Sequence, residues 1–237
     1  MIPEAPVICV DGPSGAGKGT LSKRLADHLG WHLLDSGALY RVVGLACQQA
    51  QVCLDNEVGV TLIARQLDVY FKSESEGVSV WLAGEDVSAA VRSEQGGRDA
   101  SRVAALPEVR AALLYRQQEL AVPPGLVADG RDMGTVVFPD SPLKIFLTAS
   151  ADARAQRRFE QLRGRGESVS LARLLNDIKE RDARDQARLV SPLLPASDAV
   201  VIDSTQISAD DVLDEVVRLV VAKGLDSGIE ESRLDPA

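Results

Sequence analysis

The stretch "APVICVDGPSGAGKGTLSKRLADHLG", residues 5–30, constrains the fold more than any other part of the chain. An apolar run ends at Asp11-Gly12, a glycine-rich segment follows, and apolar residues then recur at helical spacing until Gly30. Such a pattern predicts a buried strand, a tight loop and an amphipathic helix closed by glycine. Gly12, Pro13, Ser14, Gly15, Ala16, Gly17, Lys18, Gly19 and Thr20 nearly spell a phosphate-binding loop. Glycines let backbone N–H groups curl around an anion, the helix points its positive end at it, and Lys18 can bridge two phosphates of a nucleotide. The usual hydroxyl directly after the lysine is missing: Gly19 stands there and Thr20 comes one place late. Mg²⁺ is therefore expected to be held mainly by the nucleotide's phosphate oxygens and water, with support from Thr20 and Asp129.

A chain of 237 residues can build one α/β domain, or one domain plus a small insert. The formal net charge of −9 argues against a nucleic acid polymer as partner. No apolar run approaches the roughly 18 residues of a membrane span. No basic region precedes the first apolar stretch, so a signal peptide is not expected. Cys9, Cys47 and Cys53 form no metal or redox spacing, which suits a reducing, cytoplasmic setting and small apolar residues within helices and strands. A monomer is the expectation. Basic residues are skewed to 20 Arg against 6 Lys, and nine of the arginines fall between Arg154 and Arg188. Forked guanidinium groups clustered in this way suit repeated phosphate contacts.

Strand and helix patterns then alternate along the chain, which indicates a parallel sheet flanked by helices. One segment departs from this. "LDVYFKSESEGVSVWLAGEDVS" alternates apolar and polar residues on both sides of a polar, glycine-containing break, predicting a β-rich insert over residues 67–91. The residues on either side, 1–66 and 92–224, form the expected core, and a polar tail follows from 225.

Three further groups carry chemistry. "LLDSGALYR" places Ser36 and Arg41 behind a strand end, where a hydroxyl and a guanidinium can grip a second phosphate; Ser36 can equally serve as a helix cap. "VADGRDMGTVVFP" puts Asp129, Arg131 and Asp132 just past a strand's carboxyl end, where α/β proteins bind ligands. An acidic side chain there can accept from an exocyclic amino group such as cytosine N4; a salt-bridged turn is the other reading. Arg154, Arg157 and Arg158 share one helix face, as do Arg181, Asp185 and Arg188. Each stripe is either a solvated salt-bridge network or a set of arginines that stabilises a phosphoryl group in flight. The small, charged turn "LRGRGES" suits a flap that closes over it.

Together "GPSGAGKGTL", "WHLLDSGALYR", "LAGEDVS", "ADGRDMGTVVFP", "KIFLTAS" and "IKERDARD" resemble bacterial cytidylate kinases, from about Ala5 to Lys223. The resemblance implies a P-loop NTPase fold: a five-stranded parallel sheet flanked by helices, a short helical lid near residues 154–168 and the β-rich insert in the acceptor-binding region. It implies transfer of the γ-phosphoryl group of ATP to CMP or dCMP, with Mg²⁺, in pyrimidine nucleotide metabolism. It places residues 12–20 on ATP, and Ser36, Arg41, Arg131 and Arg188 on the acceptor phosphate. Ser101, Arg110 and Asp132 would read cytosine, Arg181 and Asp185 would reach the pentose, and Arg157 and Arg158 would be lid residues near the transferred group. A related kinase accepting UMP or AMP is one alternative, and a non-catalytic nucleotide-binding module another. A GTPase switch would need a guanine-reading NKxD motif, which neither Asn56 nor Asn176 begins.

Overall fold

The computed structural model describes residues 5–74, 77–188 and 190–226. The expected polar tail lies outside the described residues from 227 onward, as do residues 75 and 76 of the hairpin break. The chain begins with β1 (Val7–Asp11), α1 (Lys18–Leu29), β2 (His32–Asp35), α2 (Ser36–Gln49) and α3 (Glu57–Arg65). Next come β3 (Val69–Glu74), β4 (Gly77–Leu82), β5 (Glu85–Asp86), α4 (Ser88–Val91), α5 (Glu94–Val103) and α6 (Pro107–Gln118). It ends with β6 (Leu126–Gly130), β7 (Leu143–Thr148), α7 (Ala151–Gly164), α8 (Leu171–Gln186), β8 (Val200–Asp203) and α9 (Ala209–Ala222). Residues 36–117 form one compact unit, and the described residues on either side of them form another. No helix among the described residues is long and apolar enough to cross a membrane.

The flanking unit holds a five-stranded sheet in the order β2-β6-β1-β7-β8, with every pairing parallel. All five residues of β1 are buried, as a central strand covered on both faces requires. Leu21, Leu25 and Leu29 line one stripe of α1, and Val212, Val216 and Val220 one stripe of α9. Both stripes belong to the same core as Ile8, Val10, Ile145, Leu147 and Ile202 of the sheet. A capping box between Ser208 and Asp211 starts α9. From β1 the chain passes to β2, beyond β6, and later returns to β6 and then β7 on either side of β1. The loop after β1 thus opens at the carboxyl ends of the strands where the connections diverge, the usual ligand crevice of open α/β sheets.

Met133–Val137 forms one turn of π-helix beside β1. Its start is held by Asp11, the last residue of that strand. One carboxylate oxygen accepts from the Met133 N–H and the other from the Gly134 N–H, both at 2.8 Å. Lys144 covers the turn; a Cβ built on Gly134 would lie 3.0 Å from its Cδ. The Lys144 ammonium is tied to Pro139 O at 2.6 Å and to Asp198 at 2.9 Å. The preceding residues Arg131 and Asp132 are thereby set at a fixed height above the sheet.

The unit of residues 36–117 contains the antiparallel sheet β3-β4-β5 and five helices. Directly paired Tyr70 and Trp81 stack with ring centroids 5.8 Å apart, while Val80 and Leu82 of β4 are buried. Pro107 opens α6, where its missing N–H costs nothing. Cys9 and Cys47 are buried, as expected, and burial pushes the Cys9 thiol up to about 12. Cys53 differs: it sits exposed in the loop between α2 and α3, near Asp55, so it fills no core position.

Burial pushes the Asp11 carboxyl up to about 6, against the pull of its two N–H donors. Its folded value lies above the roughly 3.9 of an unfolded aspartate, so the folded state holds the extra proton between those values. Its contribution to stability is therefore full below that window and is lost as pH rises through it. Urea unfolding of the wild type and Asp11→Asn at pH 4, 5, 6 and 7 should show the wild type's relative stability falling with pH. A relative stability that rises with pH would mean that Asp11 is favoured as the carboxylate.

Candidate active site

The glycine-rich loop leaves β1 at Gly12, whose φ is +145°. A Cβ there would stand 1.9 Å from the Leu147 carbonyl oxygen, so no side chain fits between the loop and β7. At its other end, α1 begins without a side-chain cap, unlike α3, α5, α7, α8 and α9. An uncapped first turn leaves its N–H groups for a ligand. Lys18, at that first turn, has a side chain only 6% exposed. Its ammonium donates to the Pro13 carbonyl at 3.1 Å and stands 3.8 Å from Asp129 Oδ1.

Three carboxylates lie at or next to the carboxyl ends of adjacent strands: Asp11 on β1, Asp129 on β6 and Asp35 on β2, with Asp35 and Asp129 register partners. Burial drives Lys18 below its ordinary value, and the Arg131 and Arg181 guanidiniums push the same way against the attraction of Asp129. Burial likewise raises Asp129, with Asp35 and Asp11 adding to it against Lys18 and Arg131. Asp129 is thus a carboxylate that gains from a nearby cation. A Cβ built on Gly19 would lie 3.6 Å from Asp129 Oδ2, which places the post-lysine position directly beside this carboxylate. Thr20 is exposed in the first turn of α1. Among the described residues no group of three His, Cys, Asp or Glu side chains is arranged to hold a metal ion.

A second centre in the same unit is built around Asp185 of α8, whose side chain is 1% exposed. Its carboxylate accepts from Arg131 Nε at 3.2 Å and from Arg188, and Arg181 Nε is 4.0 Å away. Burial alone would raise Asp185, but Arg131, Arg188 and Arg181 outweigh it and hold the carboxyl below the usual range. Asp185 remains ionised throughout the neutral range and fixes three cations in one place. The expected stripe Arg181–Asp185–Arg188 is therefore an ion cluster, joined by Arg131 from the end of β6. Asp132 is buried and precedes the π-turn.

The three arginines of the expected lid separate. Arg154 is buried and forms a bidentate pair with Asp182, at 3.0 and 2.6 Å. Arg157 donates to the hydroxyl and the carbonyl of Ser204, and Arg158 donates to Gln161 at 2.5 Å. Within residues 36–117, Ser36 opens α2 and Ser101 lies in α5, both buried. Arg41 donates to the carbonyls of Val91 at 2.9 Å and Ser93 at 3.3 Å. Buried Arg110 donates to Ala104 O at 3.2 Å, and its guanidinium carbon lies 5.5 Å from the Tyr40 ring centroid. Such a contact holds a cation on an aromatic face. Sequence reasoning missed Asp11, Asp182 and Ser204. Asp11 ends the motif strand but reads as an ordinary strand terminus, while the roles of Asp182 and Ser204 depend on partners far away in the chain.

A family model described as cytidylate kinase matches residues 8–222. A protein of Shewanella piezotolerans named cytidylate kinase is 59% identical over 215 residues, spanning 90% of this chain and 94% of that protein. One of Sodalis glossinidius with the same name is 59% identical over 209 residues, spanning 88% and 92%. One of Colwellia psychrerythraea is 54% identical over 224 residues, spanning 94% and 99%. With the family model covering nearly all of the chain and more than half of its residues shared with these relatives, the protein belongs to the cytidylate kinase family.

Proposed function

We propose that the protein transfers the γ-phosphoryl group of ATP to CMP or dCMP, giving ADP and CDP or dCDP. The observation that carries this reading is the buried Lys18 at an uncapped helix start, within the field of the Arg131 and Arg181 guanidiniums. The two guanidiniums repel the buried ammonium, and negative charge placed among the three would relieve that repulsion. Bound phosphates would supply it.

In this reading residues 12–20 hold the ATP phosphates, and Lys18 exchanges its bond to Pro13 O for phosphate oxygens. Ser36, Arg41, Arg131 and Arg188 serve the acceptor phosphate; Ser101, Arg110 and Asp132 read cytosine; Arg181 and Asp185 serve the pentose. Residues 67–91 belong to the acceptor side and residues 154–168 form the lid, with Arg157 and Arg158 serving the transferred group. The acceptor's phosphate oxygen is already anionic, so no general base is needed. It bonds to the γ-phosphorus as the bond to the β–γ bridging oxygen breaks, and the electron pair leaves with ADP. Alignment and fixed positive charge carry the acceleration. Mg²⁺ would neutralise phosphate charge when bound, held by phosphate oxygens and water with Asp129 and Thr20 beside it. The raised Asp129 carboxyl suits that place.

ADP release from ATP and Mg²⁺ with CMP, dCMP, UMP, AMP or GMP as acceptor tests the reading. Turnover confined mainly to CMP and dCMP is expected, and comparable rates with AMP or GMP would remove the cytosine assignment. Asp132→Ala should raise the KM for CMP by about tenfold or more, the worth of a lost charged hydrogen bond, with the KM for ATP nearly unchanged. Equal losses for both substrates would dismiss Asp132 as a base reader. Asp185→Ala leaves Arg131, Arg181 and Arg188 without their shared counter-charge. It should lower kcat/KM for CMP by about 100-fold or more, in keeping with the cost of breaking a buried ion pair. Near-normal kcat/KM would show that the cluster is not needed for turnover.

A further inference from the structure

Two buried side chains outside the donor loop grip its backbone carbonyls. Arg154, at the start of α7, donates through Nη1 to the Ser14 carbonyl at 3.0 Å and through Nε to the Ala149 carbonyl at 2.9 Å. Both of its terminal nitrogens bind Asp182 of α8. Its stem lies against the loop, since a Cβ on Gly15 would stand 3.2 Å from Arg154 Cβ. Ser204, just past β8, donates its hydroxyl toward the Ala16 carbonyl at 3.0 Å, with the Thr148 carbonyl at 3.1 Å. The same hydroxyl accepts from Arg157 Nη1 at 3.2 Å.

A trans peptide is planar, so its carbonyl and the following N–H point in opposite directions. Drawing the Ser14 carbonyl toward Arg154 turns the Gly15 N–H away from it. Drawing the Ala16 carbonyl toward Ser204 does the same for the Gly17 N–H. Gly15 and Gly17 have φ of +81° and +100°, where the backbone needs outside restraint to keep one orientation. We propose that Arg154 and Ser204 are positioning residues for the donor nucleotide, which hold two alternate loop carbonyls outward so that the Gly15 and Gly17 N–H groups face the phosphates. Asp182 extends the brace to α8, the helix that carries Arg181 and Asp185. The loop and the arginine cluster are thus tied through one guanidinium. This inference rests on the ATP-donor reading above.

Ser204→Ala and Arg154→Lys test it. The first deletes one hydroxyl; the second offers one ammonium where a fork serves three acceptor groups. For each variant the KM for ATP, the KM for CMP, the Ki of inorganic tripolyphosphate against ATP and the thermal midpoint are measured. Each substitution should raise the KM for ATP and the Ki of tripolyphosphate together by about 5- to 20-fold, the worth of one or two oriented hydrogen bonds. The KM for CMP should stay within about twofold. A lowered thermal midpoint with unchanged KM for ATP would make both residues purely structural and overturn the proposal. So would a rise in the KM for ATP that leaves tripolyphosphate unaffected, because the contact would then be with base or sugar. If Arg154→Lys does not fold, Ser204→Ala decides alone. A wild type without CMP-dependent ADP release would refute the kinase reading itself, before any variant is compared.

Discussion

The structure depends most on an ammonium kept out of water. Lys18 is nearly buried, and an isolated buried charge is costly enough that proteins pair it or neutralise it. Here it stays near the carbonyl of Pro13 and the carboxylate of Asp129, while Arg131 and Arg181 repel it. Attraction and repulsion act on it together, so the lysine is held without being fully satisfied. That state explains the surroundings: β1 and β6 must end at the same height, α1 must begin bare, and Gly12 must let the loop pass the Leu147 carbonyl. A side chain at Gly12 would push the loop off β7 and take Lys18 with it.

Asp11 performs the complementary task. Two aspartates at the last and next-to-last places of the paired strands β1 and β6 lie within each other's field, yet their partners differ. Asp129 faces the lysine, whereas Asp11 spends both carboxylate oxygens on the backbone of the π-turn. Through those two bonds the strand that launches the glycine-rich loop also fixes the segment holding Arg131 and Asp132. The centres described around Lys18 and Asp185 therefore share one support, and a displacement of β1 moves both.

How much of this was legible in the sequence varied with the range of the interaction. The strand–loop–helix at residues 5–30 and the stripes Leu21/Leu25/Leu29 and Val212/Val216/Val220 follow from spacing alone, because local periodicity reports which face is buried. The alternation that predicted the hairpin is realised as β3 and β4, with Tyr70 and Trp81 paired across them. The π-turn was not legible: "MGTVV" has neither helical nor strand periodicity, and its shape is set by Asp11, more than 120 residues earlier, and by Lys144 lying over Gly134. Ser204 carried no signal either, since a serine after a strand is common and its partners lie in another loop.

The arginines show where residue counting stops being informative. Arg154, Arg157 and Arg158 share a helix face, and spacing alone gives them one role. Asp182, 28 residues further on, separates them: it takes Arg154 as a bidentate partner and draws it into the interior. Asp185, one turn later on the same helix, gathers Arg131, Arg181 and Arg188 instead. Two carboxylates three residues apart thus sort the surrounding guanidiniums into a brace for the loop backbone and a cationic centre. Asp182 is taken by one arginine in a bidentate pair, whereas Asp185 is shared among three guanidiniums. That sharing requires Asp185 to be ionised, and the same guanidiniums hold its carboxyl below the ordinary range, so the cluster maintains its own charge state.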